Sequence, residues 1–249
     1  MITLAIDCAT ETVGLALLDG EEILAEFYLG PGRHHAEVLL PALEKLLLLS
    51  GIPMEKIDLL ACTTGPGSFT GVRMGVSTVK GLALAIGKSI VGVSTLETLA
   101  MNAFPTPGLV CPLLDARRDQ VYAGLYRMDP DGFPEIVTPE RLTDIDHLLR
   151  DLREDDIELI GDGAVRYRDR ILESRPGWCV PLGSGKHSIH ASTVGMMGMH
   201  RYSQGKGEDP LNISPKYLRL SEAELRVGTK AGKEWVDRQE TAMRQGLTS

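Results

Sequence analysis

Aromatic residues are scarce in this chain: Phe, Trp and Tyr make up 5% of its 249 residues, so a core has to be built from Leu, Ile, Val, Ala and Met. With 43% hydrophobic and 24% charged residues, there is enough such material for one large domain or two smaller lobes. Basic charge is short as well. Lys and Arg number 26 against 34 Asp and Glu, a formal net charge of −8. That balance argues against a protein that grips nucleic acid by itself, because phosphate neutralisation supplies most of such affinity; any RNA is expected to be held by a partner. The four cysteines, Cys8, Cys62, Cys111 and Cys179, show no CxxC spacing and lie mostly in apolar runs, which reads as buried, reduced thiols and not as disulfides or a zinc site. Long apolar runs are missing too. The greasiest stretch, 38–52, is broken by Pro41, Glu44 and Lys45, and the first residues lack a basic segment ahead of an apolar one. Neither a membrane span nor a signal peptide is expected, and the expected location is cytoplasmic.

What the chain does contain is a repeat. Residues 2–7, 13–18 and 23–29 read as three short strands with polar turns between them, and the same order recurs 108 residues later at 109–115, 121–126 and 133–137. Setting Asp7 on Asp115 places Val13 on Val121 and Leu17 on Leu125, so the alternation of the second strand matches. After each meander the pattern changes to helix and strand. In the first half helices are expected at 34–49 and 71–86 with strands at 57–64 and 90–93; in the second, helices at 144–152, 165–172 and 191–202 with a strand at 157–160. The fold class expected is α/β, a duplicated pair of lobes, each a mixed sheet with helices. The boundary is placed in the Pro-rich stretch around Pro105 and Pro107, giving lobes at 1–105 and 106–220 and a polar tail at 221–249, a loose helix or disordered.

Two lobes that each open with a meander carrying an Asp are the pattern of the actin-like (ribonuclease H-like) ATPase architecture. In such proteins the two hairpins face each other across a cleft and hold phosphates, with carboxylates handling metal or water. By that analogy Asp7 and Asp115 are the candidates for a residual nucleotide site, although an Asp at a strand end is commonly a turn former. The segment GPGSFTGVR at 65–73 is the other candidate. It lacks the GK[ST] ending of a phosphate loop, and its glycines are spaced GxGxxxG and not GxGxxG. The plain reading is a tight strand-to-helix turn, with glycines for unusual dihedrals and Ser68 or Thr70 as N-cap.

The longer stretch GPGSFTGVRMGVSTVKGLA resembles the signature of the TsaB (YeaZ) family, together with AIDCATE, HHAEVLLP at 34–41, LLDARRDQVYAGLY at 113–126, GDGA at 161–164 and PKYLR at 215–219. The likeness covers residues 1 to about 220 in order. It implies a partner subunit, not catalytic by itself, of the machinery that makes threonylcarbamoyladenosine beside the anticodon of tRNA. The implied partners are the catalytic subunit TsaD and the ATPase TsaE, with ATP and metal on those subunits and a homodimer when the chain is alone. TsaD holds its metal through a His-x-x-x-His pair. The six histidines here, His34, His35, His147, His187, His190 and His200, include no two that are four apart, so no metal and no cofactor are expected on this chain. His187 and His190 read as a solvated loop pair. No GxSxG elbow is present around Ser77 or Ser94. Arg117 and Arg118 beside Asp119 are either a phosphate or RNA contact or a solvated hairpin tip.

Two helices are greasier than one buried face requires. In 71–86, Val72, Val76, Val79, Ala83 and Ile86 form one stripe, and Gly71, Gly75, Thr78, Gly81 and Ala85 form a second of small residues. In 34–49 apolar residues cover most of the circumference. Either the second lobe or a protein partner covers them. On the partner reading, the interface gathers Leu39, Leu43, Leu46, Phe69, Gly71, Arg73, Met74, Gly75, Thr78 and Lys80. The alternative function is an actin-like ATPase or small-metabolite kinase working through Asp7 and Asp115.

Overall fold

The computed structural model describes residues 1–32, 35–154 and 156–219. The chain divides into Met1–Lys216 and Tyr217–Ser249; both sheets and their helices belong to the first unit, and the tail expected at 221–249 lies outside the described residues. Strands β1 (Ile2–Asp7), β2 (Val13–Asp19), β3 (Glu22–Leu29), β4 (Leu59–Thr63) and β5 (Ser89–Val93) form one sheet in the order β3-β2-β1-β4-β5. A second sheet has the order β8-β7-β6-β9, from β6 (Leu109–Asp115), β7 (Gln120–Met128), β8 (Pro134–Asp144) and β9 (Ile157–Ile160). In both, an antiparallel meander is extended by a strand parallel to its first member. This is the duplicated mixed α/β arrangement read from the sequence. β1, β2 and β4 are buried along nearly their whole length, which is why they read as continuous apolar runs, whereas the edge strand β3 alternates.

Helices α1 (His35–Ser50) and α2 (Phe69–Ile86) cover one face of the first sheet, where Leu39, Leu43, Leu46, Val72, Val76 and Val79 join Leu4, Ile6, Leu15 and Leu17 in one core. On the second sheet, α4 (Ile145–Asp151), α5 (Asp162–Arg166) and α6 (Arg168–Ser174) contribute Ile145, Leu148, Ala164 and Ile171 to the equivalent core. The single helix expected at 165–172 is two short ones, interrupted at Tyr167. Two further helices cross between the halves. The first-half helix α3 (Thr95–Ala100), not foreseen in the sequence, packs on β6, β7 and β8. The second-half helix α7 (Ala191–Ser203) packs on the first sheet. Small residues permit that approach: a Cβ on Gly195 would lie 2.4 Å from Leu18, and one on Gly198 would lie 2.6 Å from Ala61.

A buried polar cluster ties the crossing elements together. Arg201 of α7 binds the carboxylate of Glu97 on α3 and donates to the Gly92 carbonyl at 2.8 Å. Glu140 on β8 accepts from Ser94, the N-cap of α3, from the Tyr126 hydroxyl at 3.0 Å and from the Lys216 ammonium at 3.1 Å. Each buried charge therefore has a partner, the condition under which such a cluster persists.

The repeat is offset where it was expected to match. Asp7 stands opposite Gly14, but Asp115 stands opposite Val121, because the second hairpin is one residue shorter. Counting along the ladder, the residue in the place of Asp7 is Leu114, opposite Tyr122. A one-residue slip turns a side chain to the other face of a sheet. Asp115 accordingly shares a face with Leu113 and Val121, whereas Asp7 lies beside Gly14, whose Cβ would meet Ala191 of α7 at 3.2 Å.

Candidate functional site

The glycine loop is a seat for a helix. Ser68 donates its backbone N–H to the Ala9 carbonyl at 2.7 Å, and its hydroxyl accepts from the Gly71 N–H, capping α2. A Cβ on Gly67 would lie 2.1 Å from the Ala9 oxygen and one on Gly71 would lie 2.0 Å from the Cys8 oxygen. These glycines let α2 rest on two backbone carbonyls, so the space that a phosphate would need is filled by the chain itself. The second half repeats the device: Cβ atoms on Gly161 and Gly163, from the GDGA segment, would approach the Leu113 oxygen to 2.2 and 3.0 Å.

Asp7 and Asp115 belong to separate networks. The Asp7 side chain is fully buried; Oδ1 accepts from the Thr63 hydroxyl at 2.7 Å and the Ala9 N–H at 3.1 Å, while Oδ2 has no hydrogen-bond partner. Burial pushes its pKa up to about 6 against the opposing pull of Thr63, the Ala9 amide and His35. Asp115 instead accepts from the Arg117 N–H at 3.0 Å, the Arg166 guanidinium at 3.1 Å and the Tyr167 hydroxyl at 3.3 Å. The tip beyond it holds Arg117, Arg118 and Asp119 in the left-handed region, with φ of 63°, 55° and 58°. It is pinned by Gln120 N–H to Arg117 O and by Ile145 N–H to Asp119 O, which ties it to the first turn of α4, itself capped by Asp144.

A cleft of about 470 Å³ opens between Thr10, Glu11 and Thr12 on one side and Leu114, Asp162, Val165 and Arg168 on the other, with Leu182 and His187 at its wall. Neither Asp7 nor Asp115 lines it. The first-strand carboxyl is shut inside the sheet, and Glu11 and Asp162 face the cleft against one lining cation, Arg168. Among the described residues no group of three His, Cys, Asp or Glu is set to hold a metal. His187 is not solvated as expected: Nδ1 accepts from the Gly161 N–H at 3.1 Å and Nε2 meets the Pro181 carbonyl at 2.9 Å. His190 stacks apart from it on Tyr28. Cys8, Cys62 and Cys111 are buried free thiols, but Cys179 is exposed.

The expected partner surface needs correction. Leu39, Leu43, Leu46, Gly71 and Gly75 face the chain's own core, and a Cβ on Gly75 would meet Cys8 at 3.5 Å. Lys80 is held by the carbonyls of Leu211 and Ile213 at 3.2 and 3.1 Å. Met74 and Thr78 are half-buried; Arg73 is exposed and covers the half-buried Phe69 ring at 3.8 Å. The outward face is another set. Leu40, Leu48 and Leu49 on α1 are 58%, 77% and 85% exposed, Leu84 on α2 is 54% exposed, and a Cβ on Gly81 would meet nothing within 4 Å. Of the small-residue stripe, Gly81 and Ala85 are exposed, as is Ser77 one turn before Gly81, while Gly71 and Gly75 are buried, so only the C-terminal part of that stripe faces outward. No described helix is long and apolar enough to cross a membrane.

Residues 23–154 match the family model described as TsaD, tRNA N6-adenosine threonylcarbamoyltransferase. The tRNA threonylcarbamoyladenosine biosynthesis protein TsaB of Bacillus subtilis is 33% identical over 229 residues, 91% of this chain and 97% of that protein. The solved structure of YeaZ from Pseudomonas aeruginosa superposes with a TM-score of 0.74 at 28% identity, over 87% of this chain and all of that one. Component A of (R)-2-hydroxyglutaryl-CoA dehydratase from Acidaminococcus fermentans, at 12% identity and a TM-score of 0.50 over 82% of this chain and 99% of that one, shares the actin-like fold alone. With a relative alike in sequence over nearly its whole length and a structure alike in both halves, the chain belongs to the TsaB (YeaZ) family.

Proposed function

We propose that this chain works in the biosynthesis of threonylcarbamoyladenosine in tRNA as a supporting subunit that binds a TsaD-type catalytic partner through the outward face of α1 and α2. The observation that carries the reading is the set of exposed leucines spread over the solvent side of the two helices, Leu40, Leu48 and Leu49 on α1 and Leu84 on α2. Solvated leucines in that number on regular helices are the mark of an interface. Family membership supports the pathway, and the likeness of residues 23–154 to the TsaD family model supports a partner of the same fold. A second copy of the chain is then a natural occupant of the same face when TsaD is absent, and the two modes compete. TsaE completes the assembly, ATP and metal act on the partner subunits, tRNA is reached only through the complex, and the setting is cytoplasmic. The competing reading, an ATPase or kinase acting through Asp7 and Asp115, has little support from a carboxyl sealed in the core and another paired to Arg166.

The test is reconstitution. Purified chain alone is expected to form no threonylcarbamoyladenosine on tRNA and to turn over no appreciable ATP, while TsaD and TsaE from the same source become active only when the chain is added. Robust ATP turnover by the chain alone, abolished in Asp7→Ala, would overturn the proposal. So would full activity of TsaD and TsaE without it.

A further inference from the structure

We propose that Asp7 is the positioning residue for α2, holding the Cys8–Ala9 turn on which the helix is seated and so fixing the face offered to the partner; this rests on the function proposed above. The connection is a continuous path of short contacts. Oδ1 of Asp7 accepts from the Ala9 N–H, the Ala9 carbonyl accepts from the Ser68 N–H at 2.7 Å, and the Ser68 hydroxyl accepts from the Gly71 N–H at 3.3 Å. Beside this path the same turn is met sterically: a Cβ on Gly71 would lie 2.0 Å from the Cys8 oxygen, and one on Gly67, just ahead of α2, 2.1 Å from the Ala9 oxygen. A turn that met glycine at those distances leaves no slack, so a shift of Cys8 and Ala9 is passed to the helix. Thr63 of β4 holds the carboxyl from the other side at 2.7 Å. The ionisable group that acts on it is His35 on α1, and the carboxyl in turn raises the pKa of the buried thiols of Cys8 beside it and Cys62 on β4. Its second oxygen has neither solvent nor a donor, so the group works as an acceptor at one atom and its charge is a burden.

Two readouts on the full chain decide the matter: hydrogen exchange at the amides of residues 71–76, and titration of purified TsaD. Asp7→Ala leaves two donors, the Thr63 hydroxyl and the Ala9 N–H, without this acceptor; at least about a tenfold loss is expected both in protection at 71–76 and in affinity, the size of a single unpaired buried donor being the lower bound. Amides of β7 keep their protection. Asp7→Asn retains the accepting oxygen and is expected to restore both readouts to within about twofold when both are read at about pH 5, where the wild-type carboxyl is protonated. Unchanged protection at 71–76 in Asp7→Ala, equal loss in both halves, or failure of Asp7→Asn to rescue would each overturn the inference. If Asp7→Ala does not fold, Asp7→Asn alone decides: protection at 71–76 in the wild type falls as pH rises through about 6, beyond the intrinsic change in exchange, and the variant shows no such step. The same step in both overturns the inference. Should the wild type bind no TsaD, the proposed function fails while hydrogen exchange still judges Asp7.

Discussion

The two halves of this molecule share a topology and differ in what they do with it. Each seats a helix on the end of its first strand through glycines, Gly67 and Gly71 in one half and Gly161 and Gly163 in the other. The acids beside those seats have parted company. Asp7 is sealed in the first sheet, whereas Asp115 sits at a surface hairpin with Arg166. The outer helices differ in the same sense. α4 buries Ile145, Leu148 and Leu149 and turns Asp146, His147 and Arg150 outward, as a solvated helix does. α1 buries four residues and still leaves three leucines exposed. A duplicated scaffold can keep the backbone device that builds a lobe while the outward faces of its helices diverge, α1 setting exposed leucines among Glu37, Glu44 and Lys45.

Substitutions at paired positions sharpen this contrast. The largest effect is expected at Gly71→Ala, where the new methyl would meet a backbone carbonyl at 2.0 Å. A loss above about 3 kcal/mol, or roughly 6 °C or more in the melting midpoint, is expected. At Gly163→Ala in the other half the approach is 3.0 Å and the loss is smaller. Equal losses would mean that the two seats are not differently packed.

Next in size is Asp7→Asn. The carboxyl titrates near 6 in the folded chain against the ordinary aspartate value of 3.8, so the fold favours its protonated form. Its contribution is complete below about pH 4 and lost as pH rises through about 6. The variant is therefore expected to be more stable than the wild type at pH 8 by about 2 kcal/mol, a difference that vanishes by about pH 4 in chemical denaturation. A variant less stable at pH 8 would show that the charge is needed.

Smaller still is Gly81→Ala, on the open side of α2: a gain of about 0.5–1 kcal/mol is expected, because a helix interior prefers Ala and nothing stands in the way. The smallest is Asp115→Asn. Its ion pair involves an Arg that is 59% exposed, and less than about 1 kcal/mol should be lost.

Much of the architecture was legible in the sequence because it is written in local period. The meanders, the parallel strand after each and the helices α1 and α2 follow from short apolar runs set off by polar turns and from glycine at the strand-to-helix turn. The same signal fails on faces. α1 is apolar nearly all round, so its pattern carries no phase, and Leu39, Leu43 and Leu46 could not be told from Leu40, Leu48 and Leu49 before packing chose. The small-residue stripe misled for a related reason: Gly71 is small because the Cys8 carbonyl is close, while a Cβ on Gly81 would meet nothing within 4 Å. Asp7 and Asp115 align as letters, and only the shorter second hairpin separates their faces. The exchange of α3 and α7 between halves depends on contacts far apart in the chain, such as Arg201 with Glu97, which no window of sequence reports.

The central claim is that the first half docks a partner through α1 and α2 while the second half does not. Sedimentation of labelled TsaD with the chain tests it directly, comparing Leu48→Glu/Leu49→Glu with the second-half control Val165→Glu/Leu182→Glu, which also changes exposed apolar residues. With both variants folded by circular dichroism, the first is expected to weaken binding at least about tenfold, as loss of a desolvated apolar anchor does, and the second to leave it within about twofold. Unchanged binding in the first variant, or loss confined to the second, would contradict the account and move the docking face to the cleft.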